Sequence, residues 1–186
     1  MWNRDRVQRL LLVVVVMGMA VFLLAGCNSS TDDPDQSDNL VNVDSFEPIA
    51  ACVDVDGKLV DVDGDGTKDQ VFYDVVNTAN FTSRLRGHAD SAFNDVTFTT
   101  MEIRYDMRIG TPPPRREEGV QITVPAGGTA MADITTVQAT DIPTYFHGGE
   151  IGDIVITFRG RDASGEKAVT RARLPIYTRT ECEEGQ

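Results

Sequence analysis

The chain is short of the residues that most often do chemistry. It has two histidines in 186 residues, His88 and His147, in separate segments. Its three cysteines, Cys27, Cys52 and Cys182, include no Cys-x-x-Cys pair, so redox catalysis and c-type haem attachment are unsupported. There is no Gly-x-Ser-x-Gly elbow, no His-Glu-x-x-His pair and no phosphate-cradling glycine loop. His88, Asp90 and Ser91 sit together, but in one stretch, whereas a catalytic triad draws its members from separate elements; a solvated loop is expected there. Tryptophan occurs once, at position 2. Positive charge is also scarce: 17 Lys and Arg against 29 Asp and Glu leave a formal charge of −12. So acidic a surface argues against nucleic acid and anionic lipid heads as partners and suits divalent cations or basic proteins. Beyond the first 26 residues no segment carries a capped apolar repeat of 3.6, so helices are not expected.

What the N-terminus does carry is an address. Arg4, Arg6 and Arg9 precede an apolar run from Leu10 to Gly26 that ends Leu24-Ala25-Gly26-Cys27. A basic region, an apolar core and small residues before a cut make a secretory signal over 1–26. The last four residues resemble the lipobox of bacterial lipoproteins. That resemblance implies that Cys27 receives a diacylglycerol and becomes an acylated N-terminus, anchoring the chain in a membrane. The family's sorting rule reads the residue after the cysteine, and Asn28 points to the outer membrane of the cell envelope. Loss of 1–26, with three Arg and one Asp, takes the charge from −12 to −14 and removes the tryptophan. About 160 residues remain, enough for one domain with a core. Residues 27–45 are polar and acidic and read as a flexible tether. A domain over 46–182 and a tail over 183–186 follow. In an oxidising compartment Cys52 and Cys182 form an even pair that would close the two ends of this domain.

The most informative stretch is 61–69, Asp-Val-Asp-Gly-Asp-Gly-Thr-Lys-Asp. Asp61, Asp63, Asp65 and Asp69 occupy positions one, three, five and nine of a loop, with Gly66 at six. Alternate side chains and a reversal at glycine wrap oxygen ligands around a cation of calcium's size, and the Thr67 carbonyl at seven adds another. The spacing resembles the calcium loops of EF-hand and dockerin proteins and the strand-flanked loop of FG-GAP repeats. An EF-hand places Glu at position twelve between helices; here that position is Phe72, and the flanks Lys58–Val62 and Gln70–Val76 are β-branched and aromatic. The strand-loop-strand version fits better. One such loop, with a fragmentary echo at Asp54-Val55-Asp56-Gly57, implies a Ca²⁺ site and not a propeller.

The remainder reads as strands. Val96-Thr97-Phe98 and then Met101, Ile103, Tyr105, Met107 and Ile109 change phase, which predicts a bulge near Thr99-Thr100. Glu102, Arg104, Asp106 and Arg108 form a solvated face. A stiff loop at Pro112–Glu118 precedes Val120, Ile122 and Val124, followed by Thr129–Val137. A loop over Gln138–Gly152 holds Tyr145, Phe146 and His147, which either close the end of the core or form an exposed contact. Ile154, Ile156 and Phe158, a turn at Gly160–Gly165 and the return through Leu174 and Ile176 predict a hairpin. The expectation is an all-β, immunoglobulin-like antiparallel β-sandwich with an N-terminal strand-loop-strand calcium site, resembling in pattern the Ig-like domains of bacterial surface proteins. Its expected role is a lipid-anchored binding or assembly module with an envelope or extracellular protein partner. Alternatives are a calcium-dependent carbohydrate-binding module and a hydrolase built on carboxylates, which would need two of them across a cleft.

Overall fold

The computed structural model describes Ser37, residues 39–85 and residues 94–182. The signal segment, Cys27, the His88 loop from 86 to 93 and the 183–186 tail lie outside the described residues.

The described chain is all-β. Strands β1 (Asn39–Glu47), β5 (Val75–Leu85) and β8 (Thr129–Val137) make a three-stranded sheet with β5 in the middle. A second sheet has the order β2 (Ala51–Asp54), β10 (Lys167–Arg179), β9 (Ile151–Asp162), β6 (Val96–Ile109) and β7 (Arg116–Val124). A separate hairpin, β3 (Lys58–Val60) and β4 (Asp69–Val71), joins neither sheet. One helical turn, α1 (Ile142–Tyr145), interrupts the loop before β9.

The inner faces of the two sheets share one core. Phe81 of β5 meets Phe158 of β9 edge-on, with ring centroids 5.1 Å apart, and both touch Phe98 of β6. Such aromatic pairs add roughly 0.5–1.5 kcal/mol each beyond the area they bury. Around them Val96, Ile103, Val124, Ile154, Ile156 and Leu174 are buried. A polar chain also crosses the core. The Tyr105 hydroxyl donates to the Thr136 carbonyl at 2.7 Å, the Thr136 hydroxyl to Asn77 Oδ1 at 2.7 Å, and Asn77 Nδ2 to the Pro48 carbonyl at 2.9 Å. Burial pushes the Tyr105 phenol up to about 12.

The predicted bulge in β6 is present: register shifts between Phe98 and Thr100 against both β7 and β9. A second shift follows Met107, which turns Ile109 out to solvent. Opposite each bulge β9 places a glycine, Gly160 facing Phe98 and Gly152 facing Met107. A Cβ on Gly160 would lie 2.0 Å from the Thr97 carbonyl oxygen, and one on Gly152 2.8 Å from that of Asp106. Gly160 is thus a ladder residue that lets a bulged strand approach, and not the turn residue its position suggested. The turn falls just beyond it, where Asp162 Oδ1 accepts hydrogen bonds from the Ser164 and Glu166 amides and the Ser164 hydroxyl. Burial pushes the Asp162 carboxyl up, but these bonds outweigh it and hold the group below the usual carboxylate range.

Three expectations need correction. The sheets are not wholly antiparallel: β2 runs parallel to β10, from Ala51 beside Ile176 to Asp54 beside Arg179. The chain leaves β1 at Glu47 and changes sheets through Pro48, a step with no periodicity of its own to read. The ordered domain starts earlier than residue 46, because β1 begins at Asn39 and buries Val41 inside the supposed tether. The segment at 112–118 is less loop than expected: Pro113 is buried and β7 begins at Arg116. The charged face of β6 pairs across strands. Glu102 bonds Arg159 at 2.8 Å, which with Arg115 holds its carboxyl below the usual range, and Arg108 reaches Asp153 at 3.5 Å.

Candidate metal site

The acidic loop is the tip of the β3–β4 hairpin, whose ladder pairs Val60 with Asp69 and Lys58 with Val71. Three-residue strands are what a short apolar flank permits, and the glycines at 64 and 66, both at positive φ, complete the reversal. Carboxylate oxygens of Asp61, Asp63 and Asp65 lie within 4.8 Å of one another, all exposed. Asp61 receives the Gly64 amide on one oxygen at 2.7 Å and the Gly66 amide on the other at 3.0 Å. Asp63 accepts from the Asp65 amide at 3.2 Å, and Asp65 from the Thr67 amide at 2.6 Å. Bonds from the amide and hydroxyl of Thr67 hold the Asp65 carboxyl below the usual carboxylate range.

Of the five ligands expected, the fold thus brings three carboxylates together. Asp69 does not join them, because it opens β4 as the ladder partner of Val60. The donor set fits a hard, oxygen-seeking cation that completes its shell with backbone carbonyls and water. Amide bonds to the same oxygens also stabilise a bare acidic turn.

The hairpin is tied to the body at its base. The Asp54 carboxylate accepts the Asp56 and Gly57 amides at 3.0 Å, and Gln70 Nε2 donates to the Asp56 carbonyl at 2.6 Å. The echo at 54–57 is therefore the turn that launches β3. Between hairpin and body runs a groove of about 720 Å³, bordered by Glu47, Asp54, Lys58, Phe72, Tyr73 and Asp74. Lys58 Nζ stands 6.0 Å from the Tyr73 ring centroid, within cation–π reach. The aromatic pair Phe72-Tyr73 signalled a strand, but it ends the ladder and lines this groove instead.

The remaining sequence candidates fall in different places. Cys52 and Cys182 are joined, with Cα atoms 5.9 Å apart and a sequence separation of 130. Tyr145, Phe146 and His147 do not form one contact surface. Phe146 is 2% exposed and packs edge-on against Tyr105, so no partner can reach it, whereas His147 is exposed. Apolar packing against Tyr105 is why the pair closes the core. Among the described residues no helix is long and apolar enough to cross a membrane.

No protein-family model matches the chain, and no curated protein does. A solved structure assigned as a late embryogenesis abundant (LEA) protein aligns with 91% of this chain and 86% of its own, at 10% identity and a TM-score of 0.33. So low a score does not establish a common fold.

Proposed function

We propose that this is a non-enzymatic binding or assembly module of a bacterial cell envelope, anchored through lipid on Cys27 and stabilised by one Ca²⁺ held at Asp61, Asp63 and Asp65. The observation that carries the reading is the convergence of those three carboxylates at the tip of a two-strand hairpin. An anion cluster this tight is self-repelling, and a divalent ion converts repulsion into a restraint. In this reading Thr67 contributes its carbonyl and water completes the shell. The ion stiffens the hairpin over its groove, which leaves that groove as the natural place for a partner protein. The lipobox at 24–27 supplies the membrane attachment and, with Asn28, the outer-membrane address.

A calcium-dependent carbohydrate-binding module is the second reading. It is favoured by Tyr73, 55% exposed, on the groove wall at the base of the same hairpin. The two readings separate on intact cells. Crosslinking that recovers a defined envelope protein supports the first, and specific retention on a glycan array supports the second. Fatty-acid labelling lost in Cys27→Ala supports the anchor; unlabelled wild-type chain in the soluble fraction would remove it.

A further inference from the structure

A sheet edge is a row of unpaired amides and carbonyls, and folded chains usually blunt it with charge, bulges or brevity. Three of the four edges of the two larger sheets are blunted. β1 has a register shift between Val43 and Ser45 and carries Asp44 and Glu47. β2 is four residues long and holds a disulfide-bonded cysteine. β7 carries Arg116, Glu117 and Glu118. β8, Thr-Ala-Met-Ala-Asp-Ile-Thr-Thr-Val, has no lysine and no proline, and its one irregularity lies at the far end, where Val75 and Val76 face Val137 and Thr135.

The alternation of β8 can be assigned. Ser83 donates its amide to the Gly128 carbonyl at 2.9 Å, so the peptide groups at 130, 132 and 134 face β5 and those at 129, 131, 133 and 135 face outward. The Thr135 carbonyl is already taken by the Arg116 guanidinium. What stays open is Thr129–Asp133, and among the described residues no strand pairs with β8 on that side.

We propose that this stretch pairs with itself in a second copy of the chain, antiparallel about a two-fold axis at Met131. That register sets Thr129 of each copy opposite Asp133 of the other. A threonine already faces Asp133 across the sheet within one copy, where the Thr78 hydroxyl donates to Asp133 Oδ1 at 2.7 Å; in the pairing, the second carboxylate oxygen accepts the Thr129 hydroxyl. The two Asp133 carboxylates stand four residues apart, about 13 Å, beyond the screening length at physiological salt. Centring the axis on Asp133 instead would stack the two anions and require the blocked Thr135. Met131, 67% exposed, meets its own copy at the centre. Five residues a side make a small interface, so the pairing is concentration-dependent and strengthened when both copies share a membrane. It draws nothing from the calcium reading.

The test is oxidative crosslinking of the detergent-solubilised full chain. At facing outward positions Cα atoms sit about 5.5 Å apart, within disulfide range. Met131→Cys is expected to give covalent dimer several-fold above the unsubstituted chain. Thr129→Cys and Asp133→Cys are expected to stay at background separately and to crosslink when mixed. Met131→Lys, on an exposed side chain, is expected to lower the dimer fraction in sedimentation without altering the melt. Equal crosslinking by all three single variants, none above background, or attachment only to a different protein would each overturn the proposal.

Discussion

Tyr105→Phe removes the hydroxyl that links the two sheets and leaves the Thr136 carbonyl without its donor in the core. Losing a net hydrogen bond and stranding a buried acceptor costs about 1–2 kcal/mol at neutral pH. The alkaline behaviour is more diagnostic. An ordinary phenol titrates near 10, and burial raises Tyr105 to about 12. Because the folded state holds its proton more tightly, the stabilisation is complete below pH 10 and is lost as pH rises toward and through 12. Two pKa units correspond to roughly 3 kcal/mol, of which about half is lost by pH 11. The phenylalanine variant has no such proton. Urea midpoints of both chains from pH 7 to 12 should therefore show wild type ahead at neutral pH, with the gap closing above 10 and reversing near 11. A gap that stays constant over that range would mean that the hydroxyl titrates as if in water and that the inter-sheet chain is not formed.

Three further outcomes follow from the same geometry. Gly160→Ala forces a methyl against the Thr97 carbonyl, and the shift of β6 it demands should cost about 1–3 kcal/mol in urea unfolding; an unchanged midpoint would show that the bulge does not press on β9. Cys182→Ser opens a 130-residue loop, for which chain entropy sets an upper figure near 5 kcal/mol, read as a lowered midpoint matching that of the reduced wild type. Saturating calcium at about a hundred times its Kd should raise the melting temperature of chelator-treated chain by several degrees, corresponding to about 2.7 kcal/mol. An identical melt with and without chelator would separate the hairpin from domain stability.

The parts of this fold legible in the sequence are those in which one strand face is buried and the other wet. β6 and the β9–β10 hairpin alternate so regularly that the bulge at Thr99-Thr100 could be placed from a phase change. The disulfide was legible because only two cysteines remain once Cys27 is set aside. Less visible was whatever depends on a distant neighbour. Gly160 looks like a turn former because nothing local announces that β6 bulges against it. β2 carries only four residues, too few to reveal a direction, and its parallel pairing is decided by where β10 ends. At the acidic loop, the proximity of Asp61, Asp63 and Asp65 was legible because all three lie within five residues. Asp69 escaped that logic: the ladder claimed it as the partner of Val60.

The claim on which the functional account turns is that those three carboxylates hold a divalent ion. Calorimetric titration of chelator-treated chain with calcium measures it directly, alongside Asp63→Asn and Asp65→Asn. The account predicts saturable binding of one ion per chain in the wild type, with the affinity sharply reduced in either variant. A flat titration, or binding that neither substitution weakens, would contradict it.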